Sequence, residues 1–338
     1  RWSNVNLVTG HIDFQDWTTN DDTFDKVVSP TIAGYTADKS EIPAVSGVKA
    51  KDQDRVETVT YRKDAQKAVI RYVSTNGNQV LKTDEVTGKS GESIAYSTTS
   101  QITEFKKQGY NLVSDEFTAG GAKVYDYDTA RDQVYTVTLS ERVEPVNPDN
   151  PTPQPNTPVN PGQPDSPRWP GTVENLDNKE SVSRTIHYVY EDGSKAKDDV
   201  VETLNFKRWS NVNLVTGHID FQDWTTNDDT FDKVVSPTIA GYTADKSEIP
   251  AVSGVQAKDQ DRVETVTYRK DAQKAIIRYV STNGNQVLKT DEVTGKSGEA
   301  IAYSTTSQIT EFKKQGYNLV SDEFTAGGAK VYDYDTAR

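Results

Sequence analysis

The opening of the chain is written twice. Arg1–Arg131 aligns without a gap to Arg208–Arg338, and only Lys49/Gln256, Val69/Ile276 and Ser93/Ala300 differ. Whatever fold the first copy specifies, the second must specify too. A period this long is not that of a solenoid repeat, because each unit can hold one or more domains with cores of their own. Near-identity between copies points to duplication that multiplies a surface rather than to chemistry shared between two diverged halves.

Composition narrows the function classes. Fifty-one carboxylates face 38 basic residues, the formal net charge is -13, the pI is about 4.8 and the mean hydropathy is -0.75. Such a surface repels the phosphate backbone, so no nucleic-acid partner is expected. Cysteine and methionine are both absent, which removes disulfides, thiol catalysis and thiolate metal sites along with the easiest targets of oxidation. No apolar run approaches a membrane span, and no leader or initiator methionine precedes Arg1, so membrane insertion is not expected. In register with the other copy, Arg1 would follow a lysine and Arg338 would precede Asp132, as at trypsin-like cleavage sites. An internal fragment is therefore expected.

Ten of the fourteen prolines lie between Glu144 and Pro170. A proline at every second or third position favours polyproline II at ~3.1 Å per residue, so residues 144–170 are expected to form an extended linker of up to about 80 Å that holds the units apart.

Joining the two copies in register gives a repeat of two subdomains. Residues 1–63 are expected to be a first subdomain lacking its opening hairpin, 64–143 a complete second subdomain, 171–270 a complete first subdomain, and 271–338 a second subdomain lacking its last strand. Within 171–270, RTIHYVY (184–190), VVETLNF (200–206) and RVETVTY (262–268) alternate as strands, with a turn at Asp192-Gly193. The stretch RWSNVNLVTGHIDFQDW alternates as extended chain. TNDDTFDKVVSP predicts a helix capped by Asn227 and stopped at Pro237. Within 64–143, strands at 67–73 and in NQVLKTDEV flank a turn at Asn76-Gly77. A helix follows, with Thr98 and Gln101 at capping-box spacing, Ile102 and Phe105 facing inward, and Gly109 at its end. Both subdomains thus predict an α+β fold, with tandem, elongated, β-grasp (ubiquitin-like) subdomains that each pack a small mixed sheet on one helix.

The run IRYVSTNGNQVLKTDEVTGKSGEAIAY, followed by QGYNLVSDEF and VYDYDTARDQVYTVTL, resembles the mucin-binding domain of bacterial surface adhesins, and the whole unit resembles the mucus-binding (Mub) repeat of lactobacilli. The resemblance covers nearly everything outside the Pro-rich segment. It implies a secreted protein, extracellular and fixed to the cell wall through a Leu-Pro-x-Thr-Gly signal outside this sequence, whose repeats recognise mucin glycoproteins.

No enzyme motif opposes this. His11 and His218 are one position in two copies, His187 lies in a strand pattern, and no nucleophile elbow, phosphate loop or paired-histidine metal motif stands near them. Catalysis is not expected. Acidic stretches could hold calcium through oxygen ligands, NDDTFD with Asp228, Asp229 and Asp232 foremost, although none has an EF-hand loop and a solvated turn is the simpler role. No other cofactor is expected. Glycan binding needs aromatic faces beside amide and hydroxyl groups. Trp209 and Trp224 with Asn227, and their copies Trp2 and Trp17 with Asn20, have such neighbours, while core packing is the competing role for each tryptophan.

Net negative charge disfavours electrostatic capture of sialylated or sulfated mucin, so hydrogen bonds and stacking are expected to carry recognition. Weak modules in tandem gain avidity, ~10²–10⁴ by effective concentration. Two rivals are an adhesin that binds host proteins such as immunoglobulins, through a β-grasp surface or an exposed strand edge, and a passive stalk.

Overall fold

Val182, Ile186 and Tyr188, with Arg184 between them, turn one face of a strand inward, and that strand becomes an inner member of a four-stranded sheet. The structure is a computed structural model describing residues 1–335. Its chain packs into two compact units. The first comprises Arg1–Val146, Pro151–Leu176 and Asn211–Asp220, and the second Asn147–Asn150, Asp177–Ser210 and the chain from Phe221 onward.

In the second unit the strand order is Lys195–Lys207, Lys179–Tyr190, Arg262–Lys270, Tyr242–Ala244. The first two form an antiparallel hairpin around Asp192-Gly193, where Gly193 takes the left-handed conformation (φ 80°) that the tight turn requires. The central pair is parallel, with Arg184 opposite Arg262 and Tyr190 opposite Tyr268. Ile186, Tyr188, Ile249, Val266 and Tyr268 form one core, and Val182, Leu204, Phe206, Phe231, Val255 and Ala257 another. Arg184 is fully buried; its guanidinium donates to Glu202 (2.6 Å), to the Pro250 carbonyl (3.0 Å) and to the Asp232 carbonyl, which keeps the charge partnered.

The helix expected between Asn227 and Pro237 does not form. Asp228 accepts the Thr230 amide (2.9 Å) in a local side-chain turn, Phe231 exchanges both backbone hydrogen bonds with Val252, and the β-branched pair Val234–Val235 is a short strand against Glu248–Ile249. The first subdomain is therefore a sheet covered by irregular chain and not by a helix. The unit continues through the hairpin Ala272–Val280 and Val287–Lys296 and the helix Thr306–Lys314.

In the first unit the order is Val80–Lys89, Ala65–Ser74, Gln133–Glu141, Tyr110–Asp115, again with a parallel central pair. The helix Thr99–Lys107 sends Ile102 and Phe105 into a core with Ala68, Ile70, Tyr72, Val137 and Leu139. Gly109 follows the helix in the left-handed conformation, as expected. The Thr98–Gln101 capping box is not made. Thr98 donates instead to Asp115 (2.6 Å), and Gln101 accepts from Lys82 (2.5 Å).

The Pro-rich segment departs most from expectation. Val143–Val146 joins a three-stranded sheet with Ser210–Asn213 and Ile219–Phe221, and Val146, Val173, Val212 and Leu214 bury together with Val159, Trp169, Leu176 and Ile219 around them. Residues 151–176 fold as part of this unit rather than as an extended spacer. Asn156 and Gly162 turn the chain through left-handed conformations, Trp169 and Asn156 are joined by a backbone hydrogen bond of 2.9 Å, and the apolar residues between the prolines anchor the loops. Proline spacing favours an extended chain; Val159 and Trp169 overrule it by burial.

Residues 1–63 hold only short pairings: Ser3–Val5 with Ile12–Phe14, Val27–Val28 with Glu41–Ile42, and Tyr35–Ala37 with Tyr61–Lys63. Among the described residues, no helix is long and apolar enough to cross a membrane.

Candidate binding surface

Arg208 sets the geometry around the candidate tryptophans. It precedes the strand Ser210–Asn213, and its guanidinium lies 4.0 Å from the Phe221 ring centre and 4.3 Å from that of Trp224. Its Nε donates to the Asp177 carbonyl (2.8 Å) and its Nη2 to the Asp177 carboxylate (3.0 Å). Lys258 approaches the Trp224 ring at 5.5 Å while donating to Asp177 (3.0 Å) and Glu180 (3.3 Å). The hydrogen bond to Asp177 holds the Lys258 ammonium above its ordinary pKa, against an opposing desolvation and with help from Glu180. Trp224 is half-buried against the core of Val182, Leu204 and Phe231. Its indole is thus committed to packing and to two cations.

Trp209 differs. It is 43% exposed, its carbonyl accepts the Gln222 amide (2.9 Å), and among the described residues its ring meets no other ring or cation. Asn227 is exposed beyond Trp224, and no hydrogen bond joins it to either indole. In the other copy, Arg1 lies 3.9 Å from the Phe14 ring and 4.8 Å from that of Trp17, so the same stack forms there. Trp2 is 82% exposed, and Asn20 lies on the surface.

The structure does not gather Asp228, Asp229 and Asp232 into a calcium site. Asp228 is bound to the Thr230 amide, Asp229 to the Thr230 hydroxyl (2.9 Å), and the Asp232 carbonyl receives Arg184. Among the described residues, no group of three or more histidines, cysteines, aspartates or glutamates is arranged to hold a metal ion. The carboxylates of Asp228 and Asp229 bond within their own turn instead.

A second surface escapes sequence reasoning because it needs the Pro-rich segment folded back. An open cleft of about 360 Å3 in the first unit is lined by Thr103, Lys106, Tyr110, Asn111 and Arg142 together with Gln163–Pro167. Arg142 is paired with Glu144 (2.8 Å) and Asp165 with Lys107 (3.6 Å). Burial, then the charge of Glu141, raises the Tyr110 phenol pKa, so it remains a neutral hydroxyl donor. A Gly-Tyr step after a helix was legible; the proline-bearing residues 163–167 that share its cleft were not.

The model of the Muc B2-like domain matches residues 1–65 and 173–272, and that of the mucin binding domain matches 66–141 and 273–338. The MucBP domain of the adhesion protein from Pediococcus pentosaceus is 36% identical and 98% covered, over 27% of this chain, with a TM-score of 0.25. The chain belongs to the mucus-binding domain proteins. The chain is also similar to the crystal structure of Mub-RV at 26% identity, over 61% of this chain and 99% of that one, with a TM-score of 0.49. The type 2 repeat of the mucus binding protein MUB from Lactobacillus reuteri is 28% identical over 61% of this chain and all of that one, with a TM-score of 0.41. No curated protein matches it. The mucin binding domain family suggests a mucus-binding adhesin role for this chain.

Proposed function

We propose that the chain is part of a bacterial surface adhesin whose repeats bind mucin glycans weakly and gain strength by number. The observation that carries this is the duplication itself: both domain types occur twice, and the copies differ at three positions in Arg1–Arg131. Each module then needs only a shallow site, because linked modules rebind at high effective concentration. Extracellular display and cell-wall attachment follow from the same reading, as does the division into repeats of a Muc B2-like part and a mucin-binding part. For the mucin-binding part, a β-grasp-like description is supported by the four-stranded order with a parallel centre and one packed helix.

Trp209 and Trp2 are the foremost glycan-stacking candidates, because both rings are open to solvent. Trp224 and Trp17, with Asn227 and Asn20, are placed second because Arg208 and Arg1 already stack on those indoles. The test is binding of the intact chain to mucin at graded surface density, with released mucin glycans as competitors. Apparent affinity that rises with density and falls with free glycan is expected. Density-independent affinity would remove the multivalent part, and indifference to glycan would shift the reading to a protein receptor such as an immunoglobulin. The double variant Trp2→Ala, Trp209→Ala is expected to lose most binding with its melting temperature unchanged.

A further inference from the structure

We propose that the hairpin Ser3–Val5/Ile12–Phe14 is an acceptor for the tail and Pro-rich segment of another repeat of this chain's kind, in the way that its copy at 210–221 receives residues 142–176. The two hairpins have the same sequence and the same local form. Asn6 accepts the amides of Val8 (3.0 Å) and Thr9 (3.1 Å), Asn213 those of Val215 (3.0 Å) and Thr216 (3.1 Å), and Gly10 and Gly217 adopt φ of 74° and 73°. The hairpin is therefore preformed without its cover.

Burial is what differs. Leu7 is 95% exposed and Leu214 6%; Val5 is 51% exposed and Val212 fully buried. The cover of the second copy is visible. The Leu214 amide donates to the Arg142 carbonyl (2.9 Å), Asn213 donates to Glu141 (2.6 Å), and Thr172 donates to the Gly217 carbonyl (2.7 Å). Leu214 lies so close to Gly109, at the end of the helix, that a Cβ there would stand 2.9 Å from it. Around Gly10 a Cβ would meet nothing within 4 Å. An apolar face with every backbone element of a docking site, and an identical twin already docked, fits one occupant: a segment with the chemistry of residues 142–176. The repeated stretch that opens the chain then serves as a coupling between consecutive repeats, independently of any glycan it binds.

The experiment compares hydrogen exchange at residues 3–14 in three forms of the full chain. One is unextended, one is preceded by a second copy of residues 177–207, and one by a second copy of residues 132–207. The short extension supplies the hairpin and should protect residues 24–48 only. The long one should also slow exchange at 3–14 by at least about tenfold, and Leu7→Asp should abolish that gain while 24–48 stays protected. Equal protection of 3–14 by both extensions, or none by the long one, overturns the proposal. If neither extension protects 24–48, a labelled synthetic peptide of residues 142–176 decides the matter. Saturable capture by the unextended chain, lost in Leu7→Asp, supports the acceptor; no capture overturns it.

Discussion

Residues 1–63 and 208–270 differ only at Lys49/Gln256, yet one region is nearly all surface and the other holds two cores. Phe24 is 54% exposed and Phe231 1%. Their backbones agree: Phe24 pairs with Val45 as Phe231 pairs with Val252, and Val27–Val28 pairs with Glu41–Ile42 as Val234–Val235 pairs with Glu248–Ile249. The difference is the hairpin Lys179–Tyr190/Lys195–Lys207, which is joined to the second region and not to the first. Arg262–Lys270 is a strand of nine residues beside it, while its counterpart shortens to Tyr61–Lys63. Hydrogen-bonded turns and short pairs are thus local properties of this sequence, and the hydrophobic core is not.

The sharpest way to break this comparison is amide exchange. Val266 is expected to exchange on the order of 10³-fold or more slowly than Val59, because the former opens only with the sheet and the latter has no counterpart of the strand Lys179–Tyr190 beside it. Equal protection in a dilute sample would show that residues 1–63 form the core without the hairpin.

Next in size is a paired truncation. Phe231→Ala is expected to lower stability by roughly 3–5 kcal/mol, since it empties a site among Val182, Leu204 and Phe206 and removes the ring beneath Arg184. Phe24→Ala should change it by less than about 0.5 kcal/mol. Urea denaturation of the two variants measures both, and similar losses would contradict the exposure difference.

A smaller effect separates packing from recognition at the tryptophans. Trp224 covers part of the core and stacks with Arg208, so Trp224→Ala should cost about 1–3 kcal/mol, while Trp17→Ala, which breaks only the local stack with Arg1, should leave the unfolding midpoint in place. Should Trp224→Ala abolish mucin binding with no loss of stability, the indole would be a recognition residue despite its packing.

Strand positions were legible because the strand-like run RTIHYVY (184–190) and the turns at Asn76-Gly77 and Asp192-Gly193 are local signals that tertiary packing did not oppose. The helix Thr99–Lys107 was legible for the same reason, from its apolar spacing and Gly109. Asn227 and its acids imitated a helix start, but Val234 and Val235 pair with a strand remote in sequence, which no local window contains. The proline composition of the Pro-rich segment points to an extended chain, whereas its few apolar residues, Val159 and Trp169 among them, pack into a core with Val146, Val173 and Val212. The sequence does not rank Trp209 against Trp224 as candidates, because the Arg208 stack depends on where Phe221 and Asp177 arrive in space.

The smallest expected effect tests the cover on the repeated hairpin. Both Gly10 and Gly217 hold a left-handed conformation that alanine disfavours by about 1–2 kcal/mol, so backbone strain alone would treat the two positions alike. Their surroundings do not. A Cβ at Gly217 would stand 3.0 Å from the Thr172 hydroxyl and 3.2 Å from its methyl group, in a place where Thr172 is fixed by its bond to the Gly217 carbonyl. At Gly10 the strain falls on an exposed hairpin whose loosening leaves the cores untouched. Gly217→Ala should therefore destabilise the first unit by about 1–2 kcal/mol of backbone strain and so lower its unfolding midpoint, and Gly10→Ala should leave that midpoint unchanged while speeding exchange at residues 3–14. A shared loss in both variants would mean that the first hairpin is as firmly held as the second, and that the two copies differ less than their exposure implies.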